Sequence, residues 1–298
     1  MPPIRDTAPR ITVHARGTHE LAEGARWVDD RLVFTDILTG RLLETPAPAP
    51  TPAPVRAREL LRLPVPLGAV APVAGRPGHW IAAAGTGIAL IAPDGTTDWL
   101  ARPEDRARVP VRMNDGVCDP HGRFWAGSMA YDATPGAGNL YRTDHDGTVH
   151  HVLDGLTIVN GPAFTPDGHT LYLADSATRT IHRCTLDTHG TITHREKFTR
   201  TGHAGAPDGM TVDHDHHLWV ALWGGSAIHR YHPDGTLTNR IHLPTPQPTS
   251  VCLTPTGTLL ITTARHGLTT NPALAGSILT TPVNTTAPPA AMYTPHFG

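Results

Sequence analysis

The sequence predicts an all-β fold, a six-bladed propeller of four-stranded antiparallel blades, and three observations carry that expectation. Apolar or alternating runs recur, each introduced by a turn built on Pro-Asp-Gly or a close variant. The runs that precede the turns begin near residues 22, 69, 114, 160, 207 and 249, a spacing of about 42 to 47 residues that suits one blade per unit. Helical periodicity is poor, because 30 prolines and 29 glycines interrupt almost every window long enough for a helix. Six such units fill nearly all of the 298 residues, which are read as one propeller domain, residues 1–298. A β-sandwich could hold as many strands but would not explain the repeat.

The first unit opens at Ala22-Glu23-Gly24, and residues 27–37 read as a strand, a turn at Asp29-Asp30 and a second strand. Residues 44–54 alternate proline with small residues, so an extended polyproline-like connector is expected there rather than a sheet interior. The second unit turns at Pro93-Asp94-Gly95. In the third, Asp119-Pro120-His121-Gly122 leads into the apolar run 123–126; in the fourth, Pro166-Asp167-Gly168 precedes 170–174. The fifth turns at His214-Asp215-His216 before 218–222, and the sixth at Pro255-Thr256-Gly257 before 258–262. Pro233-Asp234-Gly235 falls late in its unit, where an outer hairpin belongs. The remaining tail, 276–298, is expected to return and close the ring.

Composition excludes several classes of function. With 24 Lys plus Arg against 26 Asp plus Glu, the chain lacks the basic footprint of a nucleic-acid binder. Arg102, Arg106 and Arg108 stand among Glu104 and Asp105 and read as a solvated loop. Residues 1–10 are polar, without the apolar core of a signal peptide, and no run approaches the roughly 18 apolar residues of a membrane span. A cytoplasmic protein with no membrane partner is expected. Cys118, Cys184 and Cys252 are far apart and odd in number, which reads as buried thiols rather than a disulfide framework.

In a propeller the innermost strand of every blade faces one channel, so side chains remote in sequence can meet there. Glu23, Asn114, Asn160 and Asp208 all stand at the start of their units, next to or near a glycine. Each taken alone reads as an ordinary surface or turn residue; the shared position sets them apart. Two carboxylates with one or two amide oxygens make a hard-oxygen set suited to a divalent cation. Other polar groups read as structural. The histidines in residues 213–217 fall in a blade turn, Asp36 and Asp175 close similar runs as turn caps, and Trp223 reads as packing. No serine stands in a Gly-x-Ser-x-Gly elbow.

Four segments in order resemble the family of senescence marker protein, gluconolactonase and luciferin-regenerating enzyme, which includes regucalcin. They are Glu23 with its neighbours; Arg112-Met113-Asn114-Asp115-Gly116 with residues 119–129; Asn160-Gly161 with residues 165–168; and Pro207-Asp208-Gly209-Met210 with residues 218–221. The resemblance implies one divalent cation in the channel, Ca2+ foremost, with Zn2+, Mn2+ or Mg2+ as alternatives. It implies Glu23, Asn160 and Asp208 as metal ligands, and Arg112 and Asn114 as substrate contacts, Asn114 close enough to ligate as well. Asp132 stands where relatives often carry an acidic substrate contact, although its flanks match poorly. The activity implied is a lactonase opening a sugar or related small-molecule lactone. In it the cation polarises the carbonyl and Asp208 acts as general base toward water. Two alternatives are a non-catalytic calcium-binding or regulatory propeller, and an ester, phosphotriester or natural-product-modifying activity at the same site. The chain departs from the family pattern at Gly24-Ala25-Arg26-Trp27 and at Pro162, which points to a changed pocket shape.

Overall fold

The computed structural model describes residues 5–7, 10–49, 53–270 and 272–296. Six antiparallel sheets follow one another round a ring, and each begins with its innermost strand. Those inner strands are Ala22–Val28, Leu67–Pro72, Val111–Cys118, Val159–Phe164, Ala206–Val212 and Pro248–Leu253, here numbered as blades 1 to 6. The expected six-bladed architecture is therefore present, with inner strands starting within a few residues of the expected positions.

Local chemistry explains why the blades turn where they do. The buried Asp119 carboxylate accepts the backbone N–H groups of His121 and Arg123 at 2.9 and 3.0 Å, and the indole N–H of Trp125 at 3.0 Å. Asp213 repeats the device in blade 5, taking the N–H groups of Asp215 and His217 at 2.9 Å each and the Trp219 indole at 2.8 Å. Each carboxylate satisfies turn donors that would otherwise be buried unpaired. His214 and His216 face solvent on that turn, as a non-metal reading of the cluster requires.

Each seam between neighbouring blades holds an apolar cluster. Leu42, Leu67 and Trp80 join blades 1 and 2, for example, while Trp125, Val159 and Leu171 join blades 3 and 4. The three cysteines are free and buried. Among the described residues no helix is long and apolar enough to cross a membrane.

Two expectations are corrected. The ring is closed from the other end of the chain: Thr12–Ala15 forms the outermost strand of blade 6, pairing antiparallel with Ile278–Pro282. A further segment, Arg5–Thr7, adds a parallel fifth strand to blade 5. Residues 278–282 supply only the third strand of their blade, since the chain's end contributes three strands to it and the beginning contributes the fourth. The second correction concerns the proline-rich connector. Arg41–Pro46 is the third strand of blade 1, so Glu44 to Pro46 lie within a sheet. Pro46 is tolerated as the strand's final residue, and Glu44 is held by ion pairs to Arg31 and Arg58. Pro50 to Pro52 of that expected loop lie outside the described residues.

The tail beyond residue 282 has a different task, crossing the ends of the inner strands as a strap. Backbone hydrogen bonds tie it to blade 6 (Val283 N–H to Gly257 O, 2.8 Å), blade 5 (His214 N–H to Thr286 O, 2.9 Å) and blade 1 (Ala290 N–H to Trp27 O, 3.0 Å). It then reaches blade 2 (Tyr293 N–H to Pro72 O, 2.8 Å) and blade 3 (Thr294 N–H to Gly122 O, 3.0 Å). Between strap and strands lies a cavity of ≈ 170 Å³ lined by Trp27, Cys118, Met210 and Cys252. Tyr293 is buried in the strap, and its hydroxyl donates to Asp144 O at 2.8 Å. Tyr293→Ala should therefore cost about 3–5 kcal/mol, as for other large aromatic truncations in cores. Urea unfolding measures this, and a loss below about 1 kcal/mol would show that the strap does not brace the ring.

Candidate functional site

The inner strands are not regular, and their irregularity builds the site. In blades 1, 3, 4 and 5 two residues oppose one on the partner strand. Pairing jumps from Glu23 to Arg26, from Met113 to Gly116, from Asn160 to Ala163 and from Pro207 to Met210. Blades 2 and 6 bulge by a single residue, Gly68 and Thr249. A bulge re-aims the side chains beside it. The four wider ones carry Glu23, Asn114, Asn160 and Asp208 at the same level of the channel.

The structure brings these four together with Arg112. Arg112 Nη1 donates to Asn114 Oδ1 at 2.6 Å, and Asn114 Nδ2 donates to Asn160 Oδ1 at 2.7 Å and to Val159 O at 2.9 Å. The carboxyls of Glu23 and Asp208 stand close enough to share a hydrogen bond when one is protonated, and both lie within electrostatic reach of Arg112. All five side chains are buried. Close approach of the strands demands glycine: a Cβ on Gly161, where φ is +51°, would fall 2.6 Å from Asp208 O.

Beneath this group lie two residues that sequence reasoning did not single out. Asp115, also buried, accepts the N–H groups of Gly116 and Gly161 at 2.7 and 2.8 Å, so one carboxylate pins the bulges of blades 3 and 4. Arg26 lies 3.6 Å from Asp115 and donates to Ala25 O and Gly116 O at 2.8 and 2.5 Å. Its Nε has no hydrogen-bond partner among the described residues. The departure at Arg26 therefore places a cation in the channel just below the site. An Asn-Asp-Gly segment is a common turn, so nothing local distinguished Asp115.

Charge does not balance at this level. Asp115 is paired with Arg26 and two N–H groups, though burial still raises it above its ordinary value, and two further carboxylates, Glu23 and Asp208, share one guanidinium, Arg112. Burial, followed by the Asp115 charge, raises Glu23 above the usual carboxylate range; burial, followed by the Glu23 charge, raises Asp208 well above it. The same desolvation lowers Arg112 from its ordinary value. Such a pair gains a great deal from a positive partner, whether proton or metal ion. Among the described residues no three His, Cys, Asp or Glu side chains gather to hold a metal, so a cation here would need the Asn160 amide as its third donor.

Asp132 lies elsewhere. It is exposed on the turn after Phe124–Ala130, and its carboxylate takes the N–H and hydroxyl of Thr134 at 3.0 and 2.6 Å. Its neighbour Tyr131 is also exposed and lies near enough to Arg112 to influence its charge. Asp36 and Asp175 behave as turn caps, accepting Leu21 N–H at 2.9 Å and Ile158 N–H at 3.2 Å. Trp223 packs against Leu21, Ile37 and Ala264.

Residues 21–265 match the family described as the SMP-30/Gluconolactonase/LRE-like region. The chain belongs to this family. It is 36% identical to a pentonolactonase from Haloferax volcanii over 236 residues, covering 78% of this chain and 76% of that protein. An L-arabinolactonase from Azospirillum brasilense is 40% identical over 169 residues; that match spans 55% of this chain and only about half (56%) of the relative's length. Among solved structures, the calcium-binding protein regucalcin from Agrobacterium tumefaciens superposes with a TM-score of 0.86 at 27% identity, over 98% of this chain and 99% of its own.

Gly161→Ala should cost about 1–3 kcal/mol, since the position demands a left-handed backbone and leaves no room for a methyl group. Thermal unfolding would detect this, and an unchanged midpoint would contradict the packing described.

Proposed function

We propose that the protein is a metal-dependent lactonase that opens the ring of a sugar lactone or a related small-molecule lactone. The observation that carries this reading is the unbalanced pair Glu23 and Asp208, set beside Arg112 and two asparagines at one level of the channel. The kinship with proteins named pentonolactonase and L-arabinolactonase supports the substrate class.

Glu23, Asn160 and Asp208 would hold a divalent cation, and the fit is chemical: oxygen donors, surplus negative charge and a low-dielectric setting. Asn160 Oδ1 accepts one hydrogen bond from Asn114 and retains a lone pair for a further partner. When bound, the cation supplies a Lewis acid beside the carbonyl oxygen on which negative charge grows. Calcium is the first candidate because every donor is oxygen; zinc, manganese and magnesium accept the same set.

The remaining chemistry belongs to the protein. Asp208 takes the proton of the attacking water through the carboxylate oxygen not engaged with the cation. Arg112 Nη1 is engaged with Met113 O and Asn114 Oδ1, which leaves its other N–H groups to hold hydroxyls of the substrate. Those same bonds fix the guanidinium plane, so orientation costs little when substrate binds. Tyr131, exposed and within electrostatic reach of Arg112, would meet the far end of the substrate, whereas Asp132 stays on its own turn with Thr134.

Asp208→Asn should lower kcat for aldonolactone hydrolysis by about a hundredfold or more, the contribution of a general base. It should also raise the cation-free Tm, because the Glu23–Asp208 repulsion is relieved. Retained turnover in this variant would end the general-base assignment. Chelation should abolish hydrolysis and re-addition of a divalent cation restore it. A protein that binds the cation yet opens no lactone from an aldonolactone panel would instead be a regulatory calcium binder.

A further inference from the structure

We propose that Ser176 is a positioning residue that anchors the nitrogen side of the Asn160 amide, and thereby holds its oxygen toward the cation; this rests on the reading of Asn160 as a ligand. Ser176 stands just past the second strand of blade 4, Thr170–Asp175, and is buried. Its Oγ accepts Asn160 Nδ2 at 2.9 Å and donates to Pro207 O at 2.6 Å, one residue before Asp208. The hydroxyl thus joins a side chain of blade 4 to the strand of blade 5.

The bonds form one chain with a fixed direction. Arg112 can only donate, so Asn114 must turn its oxygen toward it and its Nδ2 toward Asn160. Asn160 then accepts on Oδ1 and donates through Nδ2 to Ser176. Ser176, having accepted, sends its own proton to the Pro207 carbonyl, which can only accept. A donor-only guanidinium at one end and an acceptor-only carbonyl at the other leave both amides a single orientation. Removing the hydroxyl leaves Asn160 Nδ2 without an acceptor and its amide held only by the Asn114 bond to Oδ1, so its plane is free to swing and the oxygen is no longer held toward the cation. The turn itself does not depend on the hydroxyl: Ser176 N–H donates to Ile158 O at 3.0 Å, and Arg179 N–H to Ser176 O at 3.1 Å.

The test compares the full-length wild type with Ser176→Ala and Ser176→Thr. Metal-free protein is titrated calorimetrically with CaCl2, and the cation-free Tm is recorded. Outer partners of metal ligands typically contribute 10–100-fold, so Ser176→Ala should weaken Ca2+ binding by about that factor. Its cation-free Tm should stay near that of the wild type, and Ser176→Thr, which keeps a hydroxyl, should recover most of the loss. Unaltered affinity in Ser176→Ala overturns the proposal, as does an equal loss in both variants. A collapsed cation-free Tm would also overturn it, by making the hydroxyl part of the blade seam. Side-chain amide exchange of selectively 15N-labelled asparagine gives a readout without metal: the Asn160 amide protons should exchange faster in Ser176→Ala. Should wild type bind no Ca2+ while this acceleration is seen, the ligand reading fails and the orienting role stands; unchanged exchange sinks the role itself.

Discussion

Two carboxylates buried side by side, with one guanidinium within electrostatic reach, are the constraint on which the upper channel depends. A folded chain tolerates such a pair only where something positive can join it, because uncompensated buried charge is costly. The surroundings of Glu23 and Asp208 are arranged accordingly. Asp115, the third carboxylate nearby, is paired with Arg26 and with two backbone N–H groups, although its charge still raises the Glu23 pKa. Arg112 is committed on one edge to Asn114, and the two asparagines face their oxygens in a single sense round the channel. The negative surplus thus centres on Glu23 and Asp208.

The scaffold can carry that surplus because its stability comes from elsewhere. Apolar clusters fill the seams between blades, and buried aspartates serve the turns of blades 3 and 5. The ring is clasped by the chain's beginning in blade 6 and braced across five blades by the strap that follows residue 282. Polar residues collect at the start of the inner strands, whereas apolar residues and the strap occupy their far ends. One end of the channel is given to chemistry and the other to cohesion.

Turns and inner strands were legible because their causes are local. An Asp two or four residues before a turn N–H, or a Gly at positive φ, behaves alike whatever surrounds it. Ring closure was not legible, since nothing local to residues 12–15 or 278–282 names the partner strand and only packing decides which lies outermost. Glu44 to Pro46 looked like a connector because proline dominates the window; pairing with Arg31–Asp36 overrode that composition. Ser176 carried no signal, and Arg26 showed only as a departure from the family pattern, because both find partners in other blades.

By itself, the sequence determined the repeat, the turn positions and which residues begin each inner strand, because these follow from dihedral preference and apolar periodicity within a few residues. It also marked Glu23, Asn114, Asn160 and Asp208 through their shared place in the unit. Only the tertiary structure decided that bulges turn all four inward at one level, that Arg26 pairs with Asp115 and that Ser176 lies against Asn160. Those outcomes depend on distances between chain segments tens to hundreds of residues apart, which no local rule can express.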